Sequence, residues 1–247
     1  MSFKLSRLTT EIKYSLIQFT RNRQSIFFTF ILPLLFLVLA WFLFGVPAGP
    51  GYIDFLLPGI VGIAIMGPAI DLTVGVIAGY RASGTLKKIA TTPQSSLEWS
   101  LSRTISGVAV TALSVIVALL SARLAFGYAP KVNVISTLLV MAGAIMFVGF
   151  GIAIAYIIRD GEAANMAAFA VTFPLMLISG SLFPVEQLPS FLRLISALSP
   201  LTYLNDGLRS AMVTGNVENA IMDLAIIGAL GIILLGIGII LLKWRDD

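Results

Sequence analysis

The chain has 247 residues, 58% of them hydrophobic and only 11% charged, against about 25% charged in an ordinary soluble domain. With a mean hydropathy of +0.99 it has too little polar surface to cover a water-soluble fold, so most of its solvent is lipid. Sixteen Lys and Arg against 12 Asp and Glu fit basic cytoplasmic loops better than a nucleic-acid partner, and the absence of His and Cys excludes Ser-His chemistry, thiolates and disulfides.

Residues 1–24 are expected to form an amphipathic interfacial helix. Leu5, Leu8, Ile12, Leu16 and Phe19 recur at spacings of 3 and 4, which places them on one helix face. Lys4, Arg7, Glu11, Lys13 and Gln18 lie elsewhere around the helix, and such a helix rests in the headgroup region. The apolar run from Ser25 to Phe44 is too long for the core of a cleaved signal.

A membrane span needs about 20 apolar residues. Six are predicted, near 25–45, 55–80, 104–125, 135–158, 163–183 and 220–242. The prolines at 33, 58 and 68 point to helices that face protein, because a neighbour must satisfy the carbonyl that each proline frees. In the fourth span, Gly149 with Ala153 and Gly151 with Ala155 form small-xxx-small pairs, read as intramolecular packing faces. Between the fifth and sixth spans, 184–219 is too polar to cross. Pro184, Pro189 and Pro200 divide it into two short amphipathic helices. Phe191, Leu192, Ile195 and Leu198 mark the first, and Leu201, Leu204, Leu208 and Met212 the second, with Asn205 and Arg209 among the polar positions. This segment is expected to be a re-entrant or interfacial outer hairpin, a candidate gate.

If the N-terminus is cytoplasmic, only Arg123, Lys131, Arg193 and Arg209 of the 16 basic residues fall outside. That asymmetry predicts both termini inside. It also puts the polar loop Tyr80–Thr104 in the cytoplasm. Gly84 breaks the helix leaving the second span, and Pro93 ends a helix of about two turns beginning at Thr85. Leu86 and Ile89 share one face, while Lys87 and Lys88 point elsewhere. Ser95 and Glu98 read as a capping box for the third span. Trp99 is expected at headgroup level and Arg103 at the membrane boundary.

Asp71 is a carboxylate well inside a span, with Pro68 one turn before it and Thr73 nearby. Such a group is a functional candidate: either it faces a cavity and holds substrate or a cation, or it makes a structural hydrogen bond to a neighbouring span or occupies a water-exposed spot near the cytoplasmic side. Arg159-Asp160-Gly161-Glu162 reads as a solvated turn.

The run Arg81, Gly84-Thr85-Leu86-Lys87, Thr92-Pro93 and Arg103 resembles the cytoplasmic loop of type-2 ABC exporter permeases. The stretch Ser179-Gly180-Ser181-Leu182-Phe183-Pro184, Leu188-Pro189, Ser199-Pro200-Leu201-Thr202-Tyr203 and Asp206-Gly207-Leu208-Arg209 is similar to the drug-exporter-like branch of that family. Together with the amphipathic N-terminus and the six spans, the resemblance covers essentially the whole chain. Tyr80 departs from the pattern, standing where many members carry an acid, which puts a salt bridge to the ATPase in doubt.

The resemblance implies a single permease domain over 1–247 in an all-α integral membrane protein, with spans one to five within 25–183 and the sixth span and tail in 220–247. It implies a plasma-membrane efflux system in which two permease copies, identical or related, work with two separate ATP-binding subunits. ATP and Mg would sit on those subunits, since this chain has no G-x-x-x-x-G-K-[ST] phosphate loop, and no cofactor, metal site or catalytic residue is expected here. The helix Thr85–Thr91 would dock in a groove of the ATPase, with Leu86 and Ile89 as apolar anchors, Arg81, Lys87 and Lys88 as polar contacts, and Gly84, Thr92 and Pro93 shaping the loop. The cargo would be an amphiphile such as a drug, lipid or glycolipid, moved by alternating access. The competing reading is an autonomous ion-coupled transporter or channel using Asp71, against which stand the scarcity of intramembrane charge and the lack of inverted repeats.

Overall fold

The structure, a computed structural model, describes residues 5–45, 49, 51–85, 88, 91, 96–158 and 160–241. These residues form a helical bundle, and no strand occurs among them. Helix α1 (Leu5–Arg21) leads into a continuous helical run made of α2 (Arg23–Ile26), a π-turn at Phe27–Ile31, α3 (Leu32–Ala40) and a second π-turn at Trp41–Gly45. The long helices are α4 (Tyr52–Ala82), α5 (Ser96–Phe126), α6 (Val134–Ile157), α7 (Gly161–Ile178) and α10 (Val217–Leu241). Between the last two lie α8 (Ser190–Leu198) and α9 (Pro200–Arg209).

Helices α4, α5, α6, α7 and α10 are long and apolar enough to cross a membrane. They correspond to five of the six expected spans. The first expected span is the run 23–45, whose apolar stretch Thr29–Leu43 is shorter than the others. Its π-turn has a local cause. Pro33 has no amide hydrogen, so it cannot bond the Thr29 carbonyl four residues back. Instead Ser114 Oγ of α5 donates to that carbonyl at 2.7 Å, and Leu32 N–H bonds Phe27 O five residues back. A neighbouring helix therefore repairs the backbone, as a lipid-embedded proline requires.

Helix α4 is the centre of the bundle. Every residue from Leu56 to Met66 is buried, which a helix apolar on all sides demands. Helices α3, α5, α6, α7 and α9 pack around it. Helix α6 lies between α4 and α10, and its small residues set both distances. A Cβ on Gly149 would stand 2.7 Å from the Leu235 amide nitrogen of α10. One on Gly151 would stand 3.1 Å from the Ile70 carbonyl of α4. The small-residue pairs are thus intramolecular seams. At the N-terminus of α6, Asn133 Oδ1 accepts from Ser136 N at 2.8 Å while Ser136 Oγ accepts from Asn133 N at 3.0 Å, a reciprocal cap. Asp160 caps α7 in the same manner through Ala163 N, at 2.7 Å, so the polar turn expected there starts a helix.

Two expected span bounds need correction. The helix of the third span begins at Ser96, before 104 and where the capping box read at Ser95 and Glu98 puts it. Trp99 is fully buried and Arg103 is 5% exposed, in the region where α1 packs against α5. The fifth span ends at Ile178, before 183: Gly180 takes φ +71, a left-handed turn that suits glycine. In α8 the apolar residues Phe191, Ile195 and Leu198 are exposed and Ser196 is buried. This inside-out order follows from a lipid surrounding, where a hydroxyl must find its partner within the protein. Ser196 does so through Thr202: its Oγ meets Thr202 Oγ1 at 3.2 Å, and that Oγ1 donates to the Ser196 carbonyl at 2.8 Å.

Gly149→Val should push α6 from α10 and destabilise the chain by about 1–3 kcal/mol, the usual cost of overpacking. The thermal midpoint in detergent would report it. Gly67→Ala, where an added Cβ meets nothing within 4 Å, should leave that midpoint unchanged or slightly raised.

Candidate functional site

Three regions named from the sequence can be located: the loop after α4, the surroundings of Asp71, and the hairpin between α7 and α10.

At the loop, Gly84 adopts φ +66 and reverses the chain after α4. A helical turn follows, in which Lys88 N–H donates to Gly84 O at 3.3 Å. Thr91 closes it, with N–H and Oγ1 both bonded to Lys88 O, at 3.2 and 2.8 Å. Lys88 is exposed, and Thr85 Oγ1 meets Ser83 Oγ at 2.7 Å. Leu86, Lys87, Ile89, Thr92, Pro93 and Ser95 lie outside the described residues. Arg81 turns into the bundle: Nη1 donates to Ala155 O at 2.8 Å and Ile158 O at 3.1 Å, and its guanidinium lies 5.6 Å from the Tyr156 ring centre. It thereby satisfies carbonyls at the end of α6, which has no further helical turn to supply donors. Tyr80, the departure from the family pattern, donates its hydroxyl to Gln18 Oε1 of α1 at 3.2 Å. The base of the loop is therefore tied to two other helices.

Asp71, Pro68 and Thr73 do come together, on a cleft of about 430 Å³ bounded by α1, α4, α5 and α7. The helix period explains the walls. Ser15, Gln18, Phe19 and Asn22 of α1 have the spacing i, i+3, i+4, i+7. Pro68, Asp71, Leu72 and Gly75 of α4 repeat it, as do Arg103, Ser106, Gly107 and Val110 of α5, and α7 adds Asn165 and Phe169. Asp71 is exposed to this space and makes no hydrogen bond or ion pair with any described residue. Asp71 thus borders the cleft, and a structural hydrogen bond to a neighbouring span is not found among the described residues. Thr73 is buried, with its hydroxyl donating to Ala69 O at 2.7 Å, so its proton is used inside α4. Arg103 lies between two aromatic rings, 5.7 Å from Tyr80 and 5.5 Å from Trp99. The polar residues beside it stay within the helix: Ser102 and Ser106 hydroxyls donate to Trp99 O and Ser102 O, at 2.7 and 2.8 Å, the back-bonding such residues favour.

In the hairpin, Pro184 precedes a 3-10 turn at Val185–Gln187, Pro189 precedes α8, and Pro200 opens α9, the position where its missing amide costs nothing. Leu201, Leu204 and Leu208 are fully buried, and so is Asn205. Asn205 Nδ2 donates to Ser179 O at 2.9 Å and Ser181 Oγ at 2.8 Å. It also reaches Ser179 Oγ at 3.3 Å, and Gly62 of α4 leaves room for its Oδ1. Arg209 bonds Asp206 Oδ1 at 2.8 Å, Gly180 O at 3.1 Å and Phe55 O at 3.3 Å, with its guanidinium 4.2 Å from the Phe55 ring centre. The residues chosen as a gate therefore join α4, the end of α7 and α9 at one point. Nearby, in the loop after α5, Tyr128 donates to Asp54. Burial first, then the Asp54 carboxylate, pushes its phenol up to about 12, so it remains a donor at physiological pH.

Both ends of the bundle are thus closed by polar clamps, and the cleft opens between helices near the loop end. Residues 7–213 match the family model described as ABC-2 type transporter. The chain belongs to the ABC-2 type transporter family. It is a multi-pass membrane protein of that family. It is 25% identical over 166 residues to ABC transporter G family member 20 of Dictyostelium discoideum, covering 66% of this chain and 23% of that protein. It is also 25% identical over 169 residues to the probable multidrug ABC transporter permease YbhS of Escherichia coli (strain K12), covering 66% of this chain and 44% of that one. The chain therefore spans less than half the length of these ABC-2 relatives.

Sequence reasoning missed Gln18, Arg103 and Asn165 as cleft residues. Their signal was the repeated i, i+3, i+4, i+7 spacing in three helices, which does not say which faces meet. Asn205→Leu should lower stability by about 1–3 kcal/mol, because the buried Ser179 and Ser181 groups lose their donor. A fall in the thermal midpoint, with membrane insertion unchanged, is the expected outcome.

Proposed function

We propose that this chain is the transmembrane subunit of an ATP-driven exporter that moves an amphiphilic substrate across the plasma membrane. The observation that carries this reading is the joint between loop and cleft. Arg81 links the loop base to the end of α6, and Tyr80 links it to α1, a wall of the cleft.

In this mechanism a separate ATP-binding subunit, carrying ATP and Mg, docks on the loop through the turn that begins at Thr85. Leu86 and Ile89 supply apolar anchors, Lys87 and Lys88 supply charge, and Thr92 and Pro93 end the segment. Arg81 holds the loop against the bundle, so a push on the loop is delivered to helices and not absorbed by slack. Closure of two ATP-binding subunits moves the loops of two permease copies. The cleft then changes access from the cytoplasmic to the outer side, and the Asn205 and Arg209 contacts loosen to let cargo leave. The cleft volume lies within the range of about 300–1,000 Å³ that suits a drug-sized ligand, and its mixed wall of Asn, Ser and Phe suits an amphiphile. Both termini lie in the cytoplasm. The multidrug description of the Escherichia coli relative is consistent with such cargo.

Lys87→Glu combined with Lys88→Glu should reduce ATP-dependent transport of an amphiphilic dye in proteoliposomes at least about tenfold, a loss of about 1.4 kcal/mol in coupling, and should abolish co-purification with the ATP-binding subunit. Insertion into the membrane should be unchanged. Unaltered ATP-driven transport in the double variant would rule out this docking surface.

A further inference from the structure

Among the described residues the charges that line the cleft are Asp71 and Arg103, and a guest meets them unequally. Arg103 is 5% exposed, its guanidinium held near the Trp99 and Tyr80 rings. Asp71 is open to the cleft and has no hydrogen bond or ion pair with a described residue. The charge within reach is therefore negative. A carboxylate inside a span is costly and is retained where it meets a partner or an aqueous path. The surrounding wall adds two features. Phe19 and Phe169 border the space, and an aromatic face attracts a cation. Ser15, 7% exposed, lines the cleft with a buried Oγ that has no hydrogen-bond partner, which leaves a polar atom for a guest.

From this arrangement we infer that the cleft selects lipophilic organic cations, with Asp71 pairing the positive charge and the phenylalanines holding the apolar body. The inference rests on reading the cleft as the substrate site of the proposed exporter. It adds the sign of the substrate's charge and names the residue that reads it.

The test uses two probes of matched shape and opposite charge, tetraphenylphosphonium and tetraphenylborate, bound to the full chain in nanodiscs of neutral lipid without nucleotide. Wild type should bind the cation saturably and at least about tenfold more tightly than the anion, a difference of about 1.4 kcal/mol. Asp71→Asn should erase that preference, and Asp71→Glu should keep it. Equal saturable binding of the two probes by wild type, no saturable cation binding, or a preference that survives in Asp71→Asn would overturn the inference. The wild-type comparison decides even if the Asn variant inserts poorly. A wild-type chain with no cation preference but intact ATP-dependent transport of a neutral amphiphile would strike only this inference. Absence of any ATP-dependent transport would instead strike the proposed function.

Discussion

A backbone carbonyl in lipid has no water to turn to, and much of this fold is an answer to that constraint. The Thr29 carbonyl, freed by Pro33, is met by Ser114 from another helix. Carbonyls at the end of α6 are met by Arg81. The turn after α7 is met by Asn205 and Arg209. In each case a polar side chain crosses from one helix to the broken backbone of another. The repairs therefore hold the bundle together at the places where single helices are weakest.

The same constraint explains why some of the fold was legible in the sequence and some was not. Long apolar runs name their own helices, and α4, α5, α6, α7 and α10 all lie where hydropathy puts them. The burial of Trp99 and Arg103 was not legible in the same way. Burial is a tertiary fact that periodicity does not carry. The amphipathic stripe of α8 was legible, but the side it faces was not: the medium outside is apolar, so the stripe faces outward and Ser196 turns inward. Asn205 was recognised as a polar position of the outer hairpin. Its fully buried place against Gly62 depends on contacts across more than a hundred residues of chain.

The cleft shows the same division. Asp71 stands out in the sequence because a carboxylate in a span is rare. Pro68 could be placed with it by helical spacing. Gln18, Arg103 and Asn165 each belong to ordinary-looking polar stretches, and only the packing of four helices brings them to one space. Arg81 belongs to the loop motif by sequence, but its bonds run into the bundle. That combination makes it a mechanical joint as well as a motif residue.

The glycine seams of α6 carry one more consequence. With Gly149 set against the α10 backbone and Gly151 against that of α4, these three helices touch almost without intervening side chains, and short contacts leave little to compress. Helices α1 and α7 instead border an open space. Stiffness is therefore graded across the molecule, from a rigid spine at α4, α6 and α10 to a compliant flank at α1 and α7. A force applied at the loop would bend the flank and leave the spine in place.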